Sequence, residues 1–533
     1  MHRLFSAACL AGAMGAGHAA AAPLSWDPGI TGGAAGGSTG SEATEWKASG
    51  ADNVWWDGAT NVAWTNGEDA TFTGTAGNVR LGGNNATISV GTLNFGVSGY
   101  TIDLRDFTDN TANNLAVTGI SGESATITNT SGTTRSLTIN NDTAQAWSGT
   151  ITSQRIVVVK QGIGTLGFSG TLPGGFGANT LEVQNGTLQF TGTVNAQSSG
   201  VVSIGANGTL DLQGNYLGVS NANDGFRRLA TAAGSTLTSS AAGTADVRFG
   251  FGGQTHDVDG TVSGDLRFRF NRGGGEVLNL GGDNSFTGGI LFNNLFGGSG
   301  TVNANHDNAL GTGPINFGNS NGTARVNLRT AAPSIGSLIG SGGGTRQIVL
   351  GETGVDSTVT INQTVDGTFT GVISDFAGQI GSLTKTGDGV LTLSGINTYT
   401  GDTTVNAGGL TPASAGELRF DVEDGGVSNS ILGVGAVTLD GLFRLDIDSL
   451  TDTDTVGTWN LVNVATLDES FGGTFGLAFL DDTTFADAGG GLYTSGDWQF
   501  STATGDLTLI PEPASLGLLG LGTLCILGRR RVL

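Results

Sequence analysis

The chain is poor in the residues on which most protein chemistry relies. Of 533 residues only Cys9 and Cys525 are cysteine. The whole stretch between them lacks a thiol, which excludes disulfide staples and a cysteine nucleophile there. Histidine is nearly as scarce: apart from His2 and His18 there are only His256 and His306, 50 residues apart. Neither has a second histidine at a ligand spacing, so a zinc site or a serine–histidine triad has nothing to build on. Both rings are expected to face solvent. Eight prolines cannot sustain a Gly-X-Y triple helix in spite of 95 glycines. Basic residues number 22 against 45 acidic ones, a net charge of −23. Phosphate neutralisation needs a basic surface, so nucleic acid is excluded as a main partner. The apolar share of 37 %, with glycine added, still suffices for a core.

Both ends carry addresses. Met1-His2-Arg3 is followed by the apolar run Leu4 to Ala16 and by small residues up to Ala22, with no acid before Asp27. This is the pattern of a secretory signal peptide over residues 1–22. At the other end Pro511-Glu512-Pro513 precedes fifteen uncharged residues, Ala514 to Gly528, and then Arg529-Arg530-Arg531. As a helix those fifteen residues reach about 22 Å, short of the roughly 30 Å hydrocarbon core. Such a helix spans only with thinning or arginine snorkelling, and the arginines belong on the cytoplasmic side. Residues 511–533 resemble the PEP-CTERM sorting signal of Gram-negative bacteria. The resemblance implies an exosortase-type transpeptidase and secretion machinery as partners, with the inner membrane holding the C-terminal helix before processing.

Between the ends the chain repeats. Gly164-Thr165-Leu166-Gly167-Phe168-Ser169-Gly170 returns as Gly186-Thr187-Leu188-Gln189-Phe190-Thr191-Gly192 and again as Gly208-Thr209-Leu210-Asp211-Leu212-Gln213-Gly214, each time after 22 residues. Apolar residues alternate within each copy, which is strand period with one face buried. One short strand per period of about 20 residues is the signature of a β-solenoid, in which leucine stacks on leucine about 4.8 Å away. A longer phrase overlies this. Leu278-Asn279-Leu280-Gly281-Gly282-Asp283-Asn284-Ser285-Phe286-Thr287-Gly288 matches Leu391-Thr392-Leu393-Ser394-Gly395-Ile396-Asn397-Thr398-Tyr399-Thr400-Gly401 position by position. With Leu383 to Gly389 before it and Thr403 to Gly408 after it, this resembles the autotransporter-associated β-strand repeat. The likeness is close over 383–410, good near 277–318 and diluted near 160–190. It implies the right-handed parallel β-helix of autotransporter passengers, although no membrane barrel follows the repeats and self-transport is not expected.

The fold class expected is therefore all-β, a right-handed parallel β-helix with a small C-terminal β-domain and a C-terminal apolar helix. The domains read as 1–22 signal peptide, 23–80 tryptophan-rich cap, 81–410 solenoid, 411–510 C-terminal β-domain and 511–533 sorting signal, with 501–513 as a link. Residues 23–80 hold Trp26, Trp46, Trp55, Trp56 and Trp64. These either cover the first open turn or form a sugar-stacking platform.

Chemical motifs are few and badly framed. Gly162-Ile163-Gly164-Thr165-Leu166-Gly167 spells G-x-G-x-x-G after an apolar strand, but a dinucleotide site needs a helix at its third glycine and none can start there. Gly36-Gly37-Ser38-Thr39-Gly40 spells G-x-S-x-G without strand-turn-helix context. Asp257 and Asp259 sit at i, i+2 and could share a strand face as acid and base, or be solvated acids beside Gly260. Asp446, Asp448, Asp452 and Asp454 could offer oxygens to calcium, with no loop pattern to frame them. No catalytic, cofactor or metal residues are assigned; the residues expected to matter are Pro511, Glu512, Pro513, Arg529, Arg530 and Arg531 of the sorting signal. The reading is a non-enzymatic exported protein of the cell envelope, surface or extracellular matrix, membrane-anchored at its C-terminus transiently or stably, structural or adhesive, with extracellular polysaccharide as a candidate partner. The alternatives are a secreted polysaccharide lyase or glycosidase on the same scaffold, or a carbohydrate-binding module.

Overall fold

The computed structural model describes residues 23–510, apart from short internal stretches of which the longest are 107–111, 173–179, 194–199, 219–227 and 452–455. The expected signal peptide, the expected C-terminal apolar helix, the six sorting-signal residues and both cysteines lie outside the described residues. Within them the chain is all-β, without an α-helix, and no helix is long and apolar enough to cross a membrane.

The chain coils so that parallel strands from successive turns pair in register. Leu166 lies beside Leu188, Leu188 beside Leu210, Leu210 beside Leu237 and Leu237 beside Val262. The expected leucine column is therefore present, and all five side chains are buried. Phe168 pairs with Phe190 in the same way. A second column runs further: Ile88, Leu115, Leu137, Val158, Leu181, Val202 and Leu229, then His256, Leu278, Val302, Val326, Ile348 and Ile373. Its steps vary from 21 to 27 residues, so the 22-residue period is local, yet the strands keep their register across the steps. Phenylalanines also stack along the axis: Phe270, Phe292 and Phe317 have ring centroids 4.8 and 5.2 Å apart and are nearly parallel.

A single turn shows how the sequence makes the coil. Thr255–Val258, Thr261–Gly264 and Leu266–Phe270 are three strands joined by one or two residues. Each alternates, sending His256, Val258, Val262, Leu266, Phe268 and Phe270 inward. The corners need small residues because the next corner sits directly on top. A Cβ on Gly162 would come within 2.1 Å of the Asn141 carbonyl oxygen, and one on Gly164 within 2.4 Å of that of Thr143. The first half of the G-x-G-x-x-G phrase is thus corner packing, and its second half already lies in strand Thr165–Phe168, not in a helix.

The aligned asparagines close the corners. Asn284 Oδ1 accepts the Val262 N–H at 2.7 Å and its Nδ2 donates to the Ala309 carbonyl at 2.7 Å. Asn397 does the same between the Ile373 N–H and the Glu417 carbonyl, at 3.0 and 3.2 Å. Each bridges the turn before and the turn after, supplying partners to backbone groups that a corner leaves unpaired.

The two ends differ from the middle. At the start, Leu24–Trp26, Trp55–Trp56 and Asn61–Val62 pair antiparallel. Trp26, Trp46, Trp55 and Trp64 are buried in one cluster, with centroids 4.9 to 5.2 Å apart, and it packs on Phe72 of the first turn. At the far end, parallel pairing continues through Glu417–Glu423, Leu442–Asp446 and Gly476–Phe479. An antiparallel sheet then follows, ordered Gly457–Asn460, Asp506–Leu509, Trp498–Ser501, Leu492–Ser495, Ala486–Gly489. The expected link over 501–513 is corrected here: Asp506–Leu509 is a central strand, because Leu507 and Leu509 alternate into the core. The fold reaches Ile510, whose N–H donates to Asp497.

Candidate functional site

The polar residues divide into those consumed by the coil and those presented outside it. His256 belongs to the first kind, which corrects its expected exposure. It occupies a position in the long aliphatic column, fully buried, between Leu229 and Leu278. Its Nδ1 accepts the Leu229 N–H at 3.0 Å, and its Nε2 lies 3.1 Å from Glu276 Oε2. A backbone N–H can only donate, so Nδ1 is the lone-pair nitrogen and Nε2 carries the hydrogen that Glu276 accepts. Glu276, also fully buried, takes two further donors, the N–H groups of Gly252 and Gln254. His306 is half-buried, its Nδ1 accepting the Asn308 N–H at 3.2 Å.

Two lysines are consumed in the same manner. Lys385 Nζ donates to the carbonyls of Thr386, Gly387 and Ala407 at 2.8, 2.8 and 3.0 Å. Lys160, in the equivalent Lys-x-Gly-x-Gly setting, donates to the carbonyls of Gly162 and Asn185. Burial pulls the Lys160 ammonium down to about 8, against the opposing pull of Asp142. Burial lowers Lys385 as well, Asp388 opposing.

Outside, one face carries a ladder. Asp257 accepts from Asn279, Asn279 from Asn303 and Asn303 from Asn327, at 2.8, 2.7 and 2.7 Å on four successive turns. Arg228 pairs with Asp257 at 3.2 Å at one end, and Arg325 donates to Asn327 at the other. Asp257 is therefore tied to two partners while Asp259 is exposed beyond the strand end, which leaves the pair as a ladder terminus and a turn acid. Another face gathers cations. Asp246 accepts from Arg267 Nε at 2.8 Å, Arg248 Nη2 at 3.1 Å and Arg269 Nη1 at 3.4 Å. Burial pushes the Asp246 carboxyl up, but Arg267 and Arg248 outweigh it and hold it below the usual carboxylate range.

The remaining sequence candidates are scattered. Ser38 Oγ accepts the Asn78 N–H and the Gly37 carbonyl accepts from Trp26 Nε1, so the G-x-S-x-G run serves the N-terminal packing. Asp446 is held by Arg419 and by the Asp448 N–H, Asp448 is exposed, and Asp452 and Asp454 lie outside the described residues. Among the described residues no group of three or more histidines, cysteines or acids is placed to hold a metal ion. Of the five N-terminal tryptophans only Trp56 is partly exposed, so they present no row of open ring faces. Buried His256, Glu276, Lys160 and Lys385 were missed from sequence; the shared Lys-x-Gly-x-Gly spacing was the available signal for the lysines.

Stacked columns, bridged corners and outward polar ladders define a β-solenoid. Residues 383–411 carry a passenger-associated-transport-repeat, and residues 509–531 carry a PEP-CTERM protein-sorting motif. The chain is also 29 % identical over 487 residues to the adhesin BmaC autotransporter of Brucella suis biovar 1 (strain 1330). That alignment covers 83 % of this chain and 13 % of the relative, so the chain spans a small part of that protein's length.

Proposed function

We propose that this chain is an exported, non-enzymatic β-solenoid with an adhesive role at the cell surface, sorted through residues 511–533 by an exosortase-type transpeptidase. The observation that carries it is the join at Ile510. A passenger-type coil closes its last sheet at Leu509, and the sorting motif begins with no spacer. The coil belongs outside the cytoplasm if the arginines at 529–531 stay inside. Its likeness to an adhesin supports the role, and the consumption of its buried polar groups in corner bridges supports a scaffold over an enzyme. A right-handed coil is part of the same proposal, since parallel strands of one sheet are joined right-handedly in nearly all proteins. The test is deletion of Pro511 to Leu533. Release of the chain into the medium, with loss of surface attachment, is the expected result. Retention on the cells at the full-length level overturns the sorting role.

A further inference from the structure

The cationic face around Asp246 stands out in a chain of net charge −23. It is the outer side of the sheet formed by Ala245–Phe249, Leu266–Phe270 and Gly289–Phe292. Strand alternation points Asp246, Arg248, Arg267 and Arg269 outward while Val247, Phe268 and Phe270 fill the core. Three guanidinium groups meet one carboxylate, and Asp265, two residues before Arg267, leaves the cluster with one positive charge in excess.

The arginines are unequally used. Arg267 spends only its Nε on Asp246; among the described residues neither of its Nη atoms has a hydrogen-bond partner. The carboxylate thus holds one edge of the guanidinium and leaves the two Nη groups of a partly exposed side chain without a partner, the pair of donors that can grip an oxyanion in bidentate fashion. One side of the Tyr216 ring is taken by Arg248, whose guanidinium carbon lies 4.3 Å from the ring centroid, and the residue remains partly exposed. Leu217 bridges to Val247, which sets Tyr216 one turn before Asp246 and two before Arg267. At ~4.8 Å per turn the two are roughly 10 Å apart along the axis. A ligand touching both is a chain and not a single sugar or a free ion.

We propose that this face binds an anionic polysaccharide laid along the coil axis, with an acidic group on the Arg267 fork and a sugar ring against Tyr216. An aromatic face with a polar edge suits a sugar ring. The acidic remainder of the chain repels every polyanion, but a duplex, with a phosphate charge about every 1.7 Å, is repelled more strongly than a polymer with at most one acid on each sugar, and so is a densely anionic lipid surface. The proposal names the ligand class for the adhesive reading and rests on it for where the chain meets such a polymer.

The experiment is affinity electrophoresis of the full chain through gels containing polygalacturonate, its methyl ester, dextran sulfate, plain dextran or duplex DNA. Retardation by polygalacturonate and none by its ester or by dextran is expected; equal retardation by dextran sulfate assigns the site to oxyanions generally. Arg267→Gln weakens binding about tenfold, the loss of one charge-assisted pair, and Arg267→Lys recovers part of it. Arg325→Gln, which removes the same charge from the asparagine ladder, changes nothing. Circular dichroism and melting identical to wild type show that Arg267→Gln is folded, since Arg248 and Arg269 still serve Asp246. Absence of binding, wild-type binding by Arg267→Gln, or equal binding to DNA overturns the proposal. None of these results touches the sorting test, so the two readings fail separately.

Discussion

The two long columns of the core solve one problem in different ways. The column Leu166, Leu188, Leu210, Leu237, Val262 is aliphatic throughout, and each turn needs nothing from the next beyond a surface to lie on. The column from Ile88 to Ile373 is interrupted at His256, where a ring with two polar nitrogens stands among leucines and valines. That position is tolerated because both neighbouring turns were fitted to it: Leu229 supplies a donor from below, and Glu276 an acceptor from above. A repeating coil thus accepts a buried polar side chain only where adjacent turns close its hydrogen bonds. One substitution is then felt over three turns, whereas in the aliphatic column the loss is one of packed volume.

The contrast can be broken most severely at Glu276. Glu276→Ala leaves the fully buried His256 ring N–H without an acceptor and the partly buried Gly252 and Gln254 N–H groups short of one, and is expected to cost about 3–5 kcal/mol. Because solenoids lose cooperativity turn by turn, the sharper readout is amide hydrogen exchange. Gly252, Gln254 and Leu229 should lose protection while Leu188 keeps it; uniform loss would mean that the pair is no local closure. Leu188→Ala is next, at about 3 kcal/mol for a buried leucine with turns packed on both sides. It should open the rungs at Leu166 and Leu210 and leave Gly252 protected. His256→Leu sharpens the comparison further, since it restores the aliphatic column yet leaves the Leu229 N–H and Glu276 short of a partner. A loss of about 2 kcal/mol in urea unfolding is expected. A gain would show that column packing outweighs the hydrogen bonds.

The aliphatic column was legible before any coordinates because a strand with one buried face repeats every two residues, and Leu166, Leu188 and Leu210 stand at equal spacing. The asparagine at Asn284 and Asn397 was legible as a repeated letter, but its reason was not: its partners, Val262, Ala309, Ile373 and Glu417, lie a full turn away. His256 failed for the same cause. Its neighbours in sequence, Thr255 and Asp257, face outward and look like surface, while the groups that accept it come from residues 229 and 276. The cationic face was hidden likewise, because Asp246, Arg267 and Tyr216 become neighbours only when the turns stack. What a solenoid shows in its sequence is the period along one turn; what it hides is the chemistry between turns.

The smallest expected effect tests whether a consumed lysine is a gain or a burden. Lys160 titrates near 8 in the fold because burial disfavours its charge, against 10.5 for an ordinary lysine. Between those values the unfolded chain binds more protons than the folded one, so stability rises as the pH climbs from about 8. Tyr399 acts in the opposite sense higher up. Buried against Thr403, its phenol is pushed to about 12, so above pH 10 the unfolded chain sheds a proton that the fold retains, and stability falls. Urea midpoints should therefore rise by the equivalent of about 1–2 kcal/mol between pH 8 and 9.5, then decline. Lys160→Met should flatten most of the rise, the remainder belonging to Lys385, which burial lowers too, and keep the decline; Tyr399→Phe should keep the rise and soften the decline, to which buried Tyr100 also contributes. A wild-type curve flat from pH 8 to 9.5 would mean that the carbonyls of Gly162 and Asn185 hold the ammonium as well as water does, and the corner would then cost the coil nothing for carrying a charge.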